Sequence, residues 1–203
     1  MPRLLLVRHG LTEYNTERRF LGHANVALNE AGRRQARRLR DHLLTEKIDA
    51  AYSSDLLRAM ETAEIVLEGR GVDITPCAEL RECDYGACEG LTFAEISERY
   101  PEVARRCVSF TMELEFPGGE AFTDFYSRTG QFLQRLEAHA SDDTLLVSSH
   151  NGPIKFLLCH LLGISADHWW QLRVDNGSLS IVDLARRGAV LTRLNDVSHL
   201  QSG

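Results

Sequence analysis

No stretch of this 203-residue chain stays apolar for long. The N-terminal run Leu4–Val7 is too short for the core of a secretion signal and far short of the roughly 20 residues that span a bilayer. The most apolar later stretch, Ile154–Ile164, is interrupted by His160. A soluble protein that does not engage membranes is expected. Cysteine pairing is also missing. The five cysteines (Cys77, Cys83, Cys88, Cys107, Cys159) are odd in number and form no Cys-x-x-Cys. That speaks against a disulfide framework or a structural zinc and for a reducing cytoplasm. Positive charge is in deficit: 23 Lys+Arg against 29 Asp+Glu leave a formal charge of −6. The broad basic field that nucleic-acid binding uses is absent, so any anionic ligand must be held by a local cluster of cations. Arg33, Arg34, Arg37, Arg38 and Arg40 read as a solvated helix face. No repeat, low-complexity tract or linker interrupts the chain. At about 150 residues per domain, its length fits one large domain, residues 1–203.

What is present is an alternation of strand and helix patterns. Leu4–Val7 has the wholly apolar character of a central strand buried on both faces. Asn29 is a helix N-cap, followed by Ala36, Leu39 and Leu43 at helical spacing. Ile48–Tyr52 reads as a second strand, then a helix with Ala59, Ala63 and Val66 inward, then Val72–Thr75 as a third strand. The segment 79–120 is irregular, with a short helix near Phe93–Tyr100 and a turn at Pro117-Gly118-Gly119. A long helix is expected from Ala121 to Ala140, a strand at Thr144–Ser148 and a helix at Gly152–Leu162. Ser178–Leu184 and Val190–Leu194 follow as strands joined by a hairpin at Arg186-Arg187-Gly188, which predicts a mixed α/β sheet covered by helices.

The chemistry lies after the strands. Leu4–Val7 ends at Arg8-His9-Gly10, and Thr144–Ser148 ends at Ser149-His150-Asn151-Gly152. The strand Ile48–Tyr52 runs into Ser53-Ser54-Asp55, and the next helix carries Arg58 in its first turn. In open α/β sheets ligands bind beyond the carboxyl ends of the strands, so two histidines and two arginines converge on one rim. Arginine matches phosphate oxygens bidentately, and a neutral imidazole is a competent nucleophile. A cation at a helix N-terminus, as at Arg58, is unfavourable unless an anion shares the site. The constellation suits phosphoryl transfer without a metal.

Arg8-His9-Gly10-Leu11-Thr12-Glu13-Tyr14-Asn15 resembles the signature of the histidine phosphatase (phosphoglycerate mutase-like) superfamily. The match continues in order through Gly22, Leu28-Asn29-Glu30-x-Gly32, Ser53-Ser54-Asp55-Leu56-x-Arg58-Ala59, Glu61-Thr62-Ala63 and Leu80-Arg81-Glu82. It goes on with Gly86, Glu89-Gly90-Leu91, Pro117-Gly118-Gly119-Glu120, Ser149-His150 and Leu194-Asn195-Asp196. The detailed pattern is similar to the short bacterial branch that includes α-ribazole phosphatases and metal-independent phosphoserine phosphatases. The resemblance implies a mixed, mostly parallel sheet of about six strands with helices on both faces. It implies a phosphomonoesterase in which His9 becomes phosphohistidine, Arg8 and Arg58 clamp the phosphoryl oxygens, and Asn15 and His150 complete the pocket. It makes Glu82 the general acid, with Asp84 and Glu89 as rival acids. Thr12 and the Gly22 backbone are expected to contact substrate oxygens, and Asn151 and Cys88 depart from the common pattern beside the pocket.

Two other readings stand beside this one. A bisphosphoglycerate-dependent phosphoglycerate mutase is disfavoured by the short chain and by the lack of an extra basic residue in Glu82-Cys83-Asp84-Tyr85-Gly86. A non-catalytic phosphate-binding or interaction module is disfavoured because nucleophile, clamp and candidate acid are all present. No metal and no cofactor are expected, and the partner is a small phosphorylated metabolite rather than nucleic acid. Substrate choice is expected from Tyr85, Arg106, Phe110 and Phe116. His23, His42, His139, His160, His168 and His199 read as surface or structural residues. Trp169-Trp170 anchors a homodimer or covers the core.

Overall fold

The computed structural model describes residues 2–201. In chain order its elements are β1 (Arg3–Arg8), α1 (Glu13–Thr16), α2 (Glu30–His42), β2 (Ala50–Ser53), α3 (Leu57–Leu67) and β3 (Ile74–Pro76). Then come α4 (Phe93–Arg99), α5 (Pro101–Ser109), α6 (Phe122–Gln131), β4 (Thr144–Ser149), α7 (Asn151–Leu162), β5 (Leu179–Ala185) and β6 (Gly188–Asp196). The six strands form one mixed sheet in the order β3-β2-β4-β1-β5-β6. β1 to β4 run parallel, while β5 pairs antiparallel with β1 and β6 antiparallel with β5.

The side-chain alternation of β1 explains why helices cover both faces. Leu4 and Leu6 pack with Leu145, Val147, Ile154 and Leu158 beneath α7, while Leu5 and Val7 pack with Leu146, Leu39, Ala63 and Val66 beneath α2 and α3. A strand buried on both sides must be apolar throughout, as this one is. A third cluster, containing Cys88, Ile96, Phe116, Phe122, Phe125 and Phe156, joins α4 and α5 to α6 and α7. No helix among the described residues is long and apolar enough to cross a membrane.

Three local expectations need correction. The third strand occupies Ile74–Pro76 rather than Val72–Thr75, because Gly69 and Gly71 adopt positive φ and spend the preceding residues on a turn. The edge position leaves Pro76 free of any donor requirement. The helix expected over Ala121–Ala140 ends at Gln131 and continues as a 3-10 turn over Phe132–Ala138. Thr129 Oγ1 bonds back to the Phe125 carbonyl (2.8 Å), and Gly130 lies under the His160 ring; both weaken the helix there. The irregular segment holds a second helix, α5, started by Pro101 at its first position. The arginines of α2 lie on a solvated helix face, as expected, and are answered by neighbouring acids and carbonyls. Arg33 pairs with Glu61, Arg34 and Arg37 with Glu30, Arg40 with Asp41 and Glu68, and Arg38 donates to the Leu200 carbonyl.

Candidate functional site

Two histidines meet because two strands end together. β1 and β4 pair in parallel from Arg3↔Thr144 to Arg8↔Ser149, so His9 and His150 leave the sheet side by side. The His9 backbone N–H donates to the Ser149 carbonyl (2.9 Å). The two rings lie 5.0 Å apart, edge to face. β2 ends one strand over in the register Ser53↔Ser148, which places Ser54 Oγ 2.8 Å from His150 Nε2. The loop after β1 packs backbone to backbone against α2: a Cβ on Gly10 would lie 2.5 Å from the Gly32 carbonyl oxygen. Only glycine at both positions permits that approach.

The geometry fixes the tautomer of His9. Its Nδ1 lies 2.7 Å from the Gly10 carbonyl oxygen. A carbonyl only accepts, so Nδ1 carries the hydrogen and the lone pair is on Nε2. Burial, then the Arg58 and Arg8 guanidiniums, hold His9 well below the ordinary histidine range. Burial, then Arg58 and His9, hold His150 well below it too. Both rings are neutral at neutral pH in the absence of an anion.

The cations are anchored by carbonyls. Arg58 is fully buried and donates through Nη1 to Ala24 (2.9 Å) and through Nη2 to Gly22 (2.8 Å). Burial lowers its pKa to about 10, which leaves it charged at neutral pH. Arg8 Nη1 donates to the Val174 carbonyl (2.6 Å). Among the described residues, Arg8 Nε, Arg58 Nε and His150 Nδ1 are buried without a hydrogen-bond partner. Leaving a buried polar group unpaired costs about 1–3 kcal/mol, more when it is charged. Such groups gathered around one imidazole suit a ligand with several acceptor oxygens and negative charge. Asn15 adds a donor. Its Oδ1 accepts from Thr12 N–H (3.2 Å), Thr12 Oγ1 (3.1 Å) and Asn176 Nδ2 (3.2 Å), so its own amide nitrogen is available to a ligand.

Glu82 reaches the site from the loop after β3. Its Oε1 accepts from the Cys83 N–H (3.1 Å) and its Oε2 from the Gly152 N–H (3.3 Å) at the start of α7. A Cβ on Gly152 would run into that carboxylate and the Phe125 ring. The loop itself is gathered by Arg128. Its Nη1 donates to the carbonyls of Ala78, Glu79 and Arg81, and its Nη2 to that of Glu82, at 3.0–3.3 Å. Glu120 clamps the same guanidinium at 2.8 Å through both oxygens. The rival acids are engaged elsewhere: Asp84 accepts from Gly86 N–H (2.9 Å) and Glu89 from His23 N–H (2.5 Å).

A cleft of about 250 Å³ opens over these groups. It brings together Arg8, His9, Asn15, Arg58, Glu82, Tyr85 and Asn151, with His150 directly behind His9. Thr12 and Gly22 are not on its wall. Thr12 caps α1 and orients Asn15, while Gly22 offers its carbonyl to Arg58. Phe116 lies behind Tyr85, with ring centroids 4.8 Å apart, and Arg106 and Phe110 lie off the cleft. Arg106, on α5, donates to the Glu113 carbonyl, and Phe110, the residue that caps the end of α5, stacks on Trp170. Sequence reasoning passed over Arg18, Arg19, Phe20 and Leu21, which do line the cleft. Their signal was positional: they lie between Asn15 and Gly22, both already singled out.

A model of the histidine phosphatase superfamily (branch 1) matches residues 4–197. Phosphoserine phosphatase 1 of Hydrogenobacter thermophilus is 34% identical over 200 residues, covering 98% of this chain and 95% of that protein. The adenosylcobalamin/alpha-ribazole phosphatase of Salmonella typhimurium is 36% identical over 194 residues, covering 95% and 96%. The crystal structure of the alpha-ribazole phosphatase from Shigella flexneri superposes with a TM-score of 0.90 at 31% identity, covering 96% of each chain.

Proposed function

This chain belongs to the histidine phosphatase superfamily, and on that premise we propose that it hydrolyses a small phosphomonoester through a phosphohistidine on His9. The observation that carries the reading is the Nδ1 contact to the Gly10 carbonyl (2.7 Å), which leaves a neutral Nε2 beside the buried Arg58 and the partly buried Arg8. Nε2 attacks phosphorus while the ester P–O bond breaks opposite it. Arg8, Arg58, Asn15 and His150 offset the charge on the equatorial oxygens. Glu82 gives its proton to the leaving alkoxide, then takes one from the water that attacks the phosphohistidine, so that free phosphate and the starting enzyme are regenerated. Two named relatives act on different phosphomonoesters, and the cleft of about 250 Å³ favours a small substrate over a phosphoprotein.

The test is p-nitrophenyl phosphate hydrolysis in EDTA, with acid-labile and base-labile phosphoenzyme analysed after a rapid quench. Wild type turns over and traps base-stable label on His9; His9→Ala does neither. Equal rates in the two proteins, or label on another residue, overturn the assignment. Supplying 3-phosphoglycerate with 2,3-bisphosphoglycerate separates hydrolysis from isomerisation: free phosphate is expected, and 2-phosphoglycerate favours the mutase.

A further inference from the structure

The cleft contains one cation that neither the fold nor the phosphoryl pocket uses. Helix α1 ends in a Schellman motif: Arg19 N–H donates to the Tyr14 carbonyl (2.8 Å) and Arg18 N–H to the Asn15 carbonyl (3.2 Å). That motif requires a left-handed residue at the position occupied by Arg18, whose φ is +56°. Glycine is the usual occupant, because any other L-residue is strained there by its Cβ. A strained non-glycine residue at the edge of a site calls for a reason beyond the turn.

The neighbours make the contrast plain. Arg19 is committed: Nε to Glu17 (2.6 Å), Nη1 to the Gly90 carbonyl (2.7 Å) and to Glu95 (3.2 Å). Arg58 and Arg8 are tied to carbonyls beside His9. The Arg18 side chain lines the cleft and, among the described residues, makes no hydrogen bond or ion pair. Among the described residues, Glu82 is the only acidic side chain on the cleft wall. On the phosphatase reading Arg8 and Arg58 serve the phosphoryl group, which leaves the Arg18 charge on the same cleft wall unanswered.

We propose that Arg18 is a specificity-determining residue: its guanidinium recognises a second anionic group, a carboxylate or a second phosphate, on the alcohol portion of the substrate. The proposal rests on the phosphatase reading above and names the substrate class. The planar fork of arginine fits both anions bidentately. The αL backbone sets the direction from which the side chain leaves the turn.

Two matched ester pairs test it: O-phosphoserine against O-phosphoethanolamine, which differ by one carboxylate, and 1,3-propanediol bisphosphate against its monophosphate. For each, kcat/KM is measured, or Ki against p-nitrophenyl phosphate where an ester is not turned over. Wild type prefers the anion-bearing member of at least one pair, roughly 10- to 100-fold and mainly through KM, as expected for a charge-assisted contact. The carboxylate and phosphate arms show which anion is read. Arg18→Ala abolishes most of that preference and Arg18→Lys keeps part of it. Arg18→Gly abolishes it while raising Tm by roughly 2–4 °C, because glycine relieves the αL strain. No preference in either pair, a preference retained by Arg18→Ala, or a lower Tm for Arg18→Gly overturns the proposal. Failure of the phosphatase reading is seen separately, as His9→Ala matching wild type on p-nitrophenyl phosphate.

Discussion

An alkoxide leaves phosphorus poorly unless it is protonated, whereas p-nitrophenolate leaves without help, and that difference isolates the work of Glu82. Its two oxygens accept from two backbone N–H groups, at 3.1 and 3.3 Å; the glutamine variant keeps the side chain's size and one of these bonds, sets its NH2 against the other N–H, and loses the proton. Glu82→Gln is expected to lower kcat/KM for an alkyl phosphate about 10²- to 10⁴-fold. The loss on p-nitrophenyl phosphate should be at least tenfold smaller, since kcat/KM reports the first chemical step alone. Equal losses on the two esters remove the general-acid role. At this scale much of the site was legible in the sequence. Arg8 ends β1, His9 and His150 stand directly after strands, and Arg58 lies in a first helical turn, where position along the chain nearly determines position in space. The choice among Glu82, Asp84 and Glu89 was not legible, because it depends on which loop carboxylate meets the α7 N-terminus. Arg18 was invisible for a related reason: its slot is a property of the turn, not of a motif.

A loop that carries the proposed acid, Glu82, must itself be held, and here α6 does it. Arg128, on α6, gathers four carbonyls of the Ala78–Glu82 segment, lies 5.0 Å above the Phe125 ring, and is fixed by Glu120. Planar donors aimed at several carbonyls cannot be replaced by a point charge. Arg128→Lys and Arg128→Ala should therefore both depress kcat/KM for alkyl phosphates more than for p-nitrophenyl phosphate, repeating the Glu82→Gln pattern more weakly, about 10- to 100-fold. A merely structural role lowers both esters together, and that outcome refutes the positioning role. The Pro117-Gly118-Gly119-Glu120 motif thus acquires a physical purpose, since Gly119 also lets this turn pack against Gly86 without room for a Cβ. Among elements, the central strands were readable because burial on both faces makes them uniformly apolar. The break in α6 at Phe132 and the helix α5 were not, because Thr129, Gly130 and the Tyr100-Pro101 junction act through tertiary neighbours rather than periodicity.

Across the whole molecule, a net charge of −6 surrounds a buried cationic pocket. Such a site makes the fold dependent on both anion and pH. Phosphate binding only the native state should raise Tm; at 100 times its Kd the gain is about 2.7 kcal/mol, roughly 5–10 °C for a chain of this size. Arg8→Ala should shrink that gain, and an undiminished shift would place phosphate elsewhere. The pH effect follows from two histidines that burial and nearby arginines keep neutral in the native state. Once unfolded, each recovers an ordinary pKa near 6.5. Below that value, and above the depressed native pKa values, the unfolded chain binds up to two more protons than the native one at His9 and His150. Stability in the absence of phosphate is full above pH 6.5 and falls as the pH drops, approaching about 1.4 kcal/mol per pH unit for each histidine. His199, also lowered by burial, adds to the same limb. Urea midpoints measured from pH 7.5 to 5 should therefore fall less steeply in His9→Gln than in wild type. Parallel slopes would mean that His9 is not held neutral in the native state, and the nucleophile would have to be freed of its proton by the substrate instead.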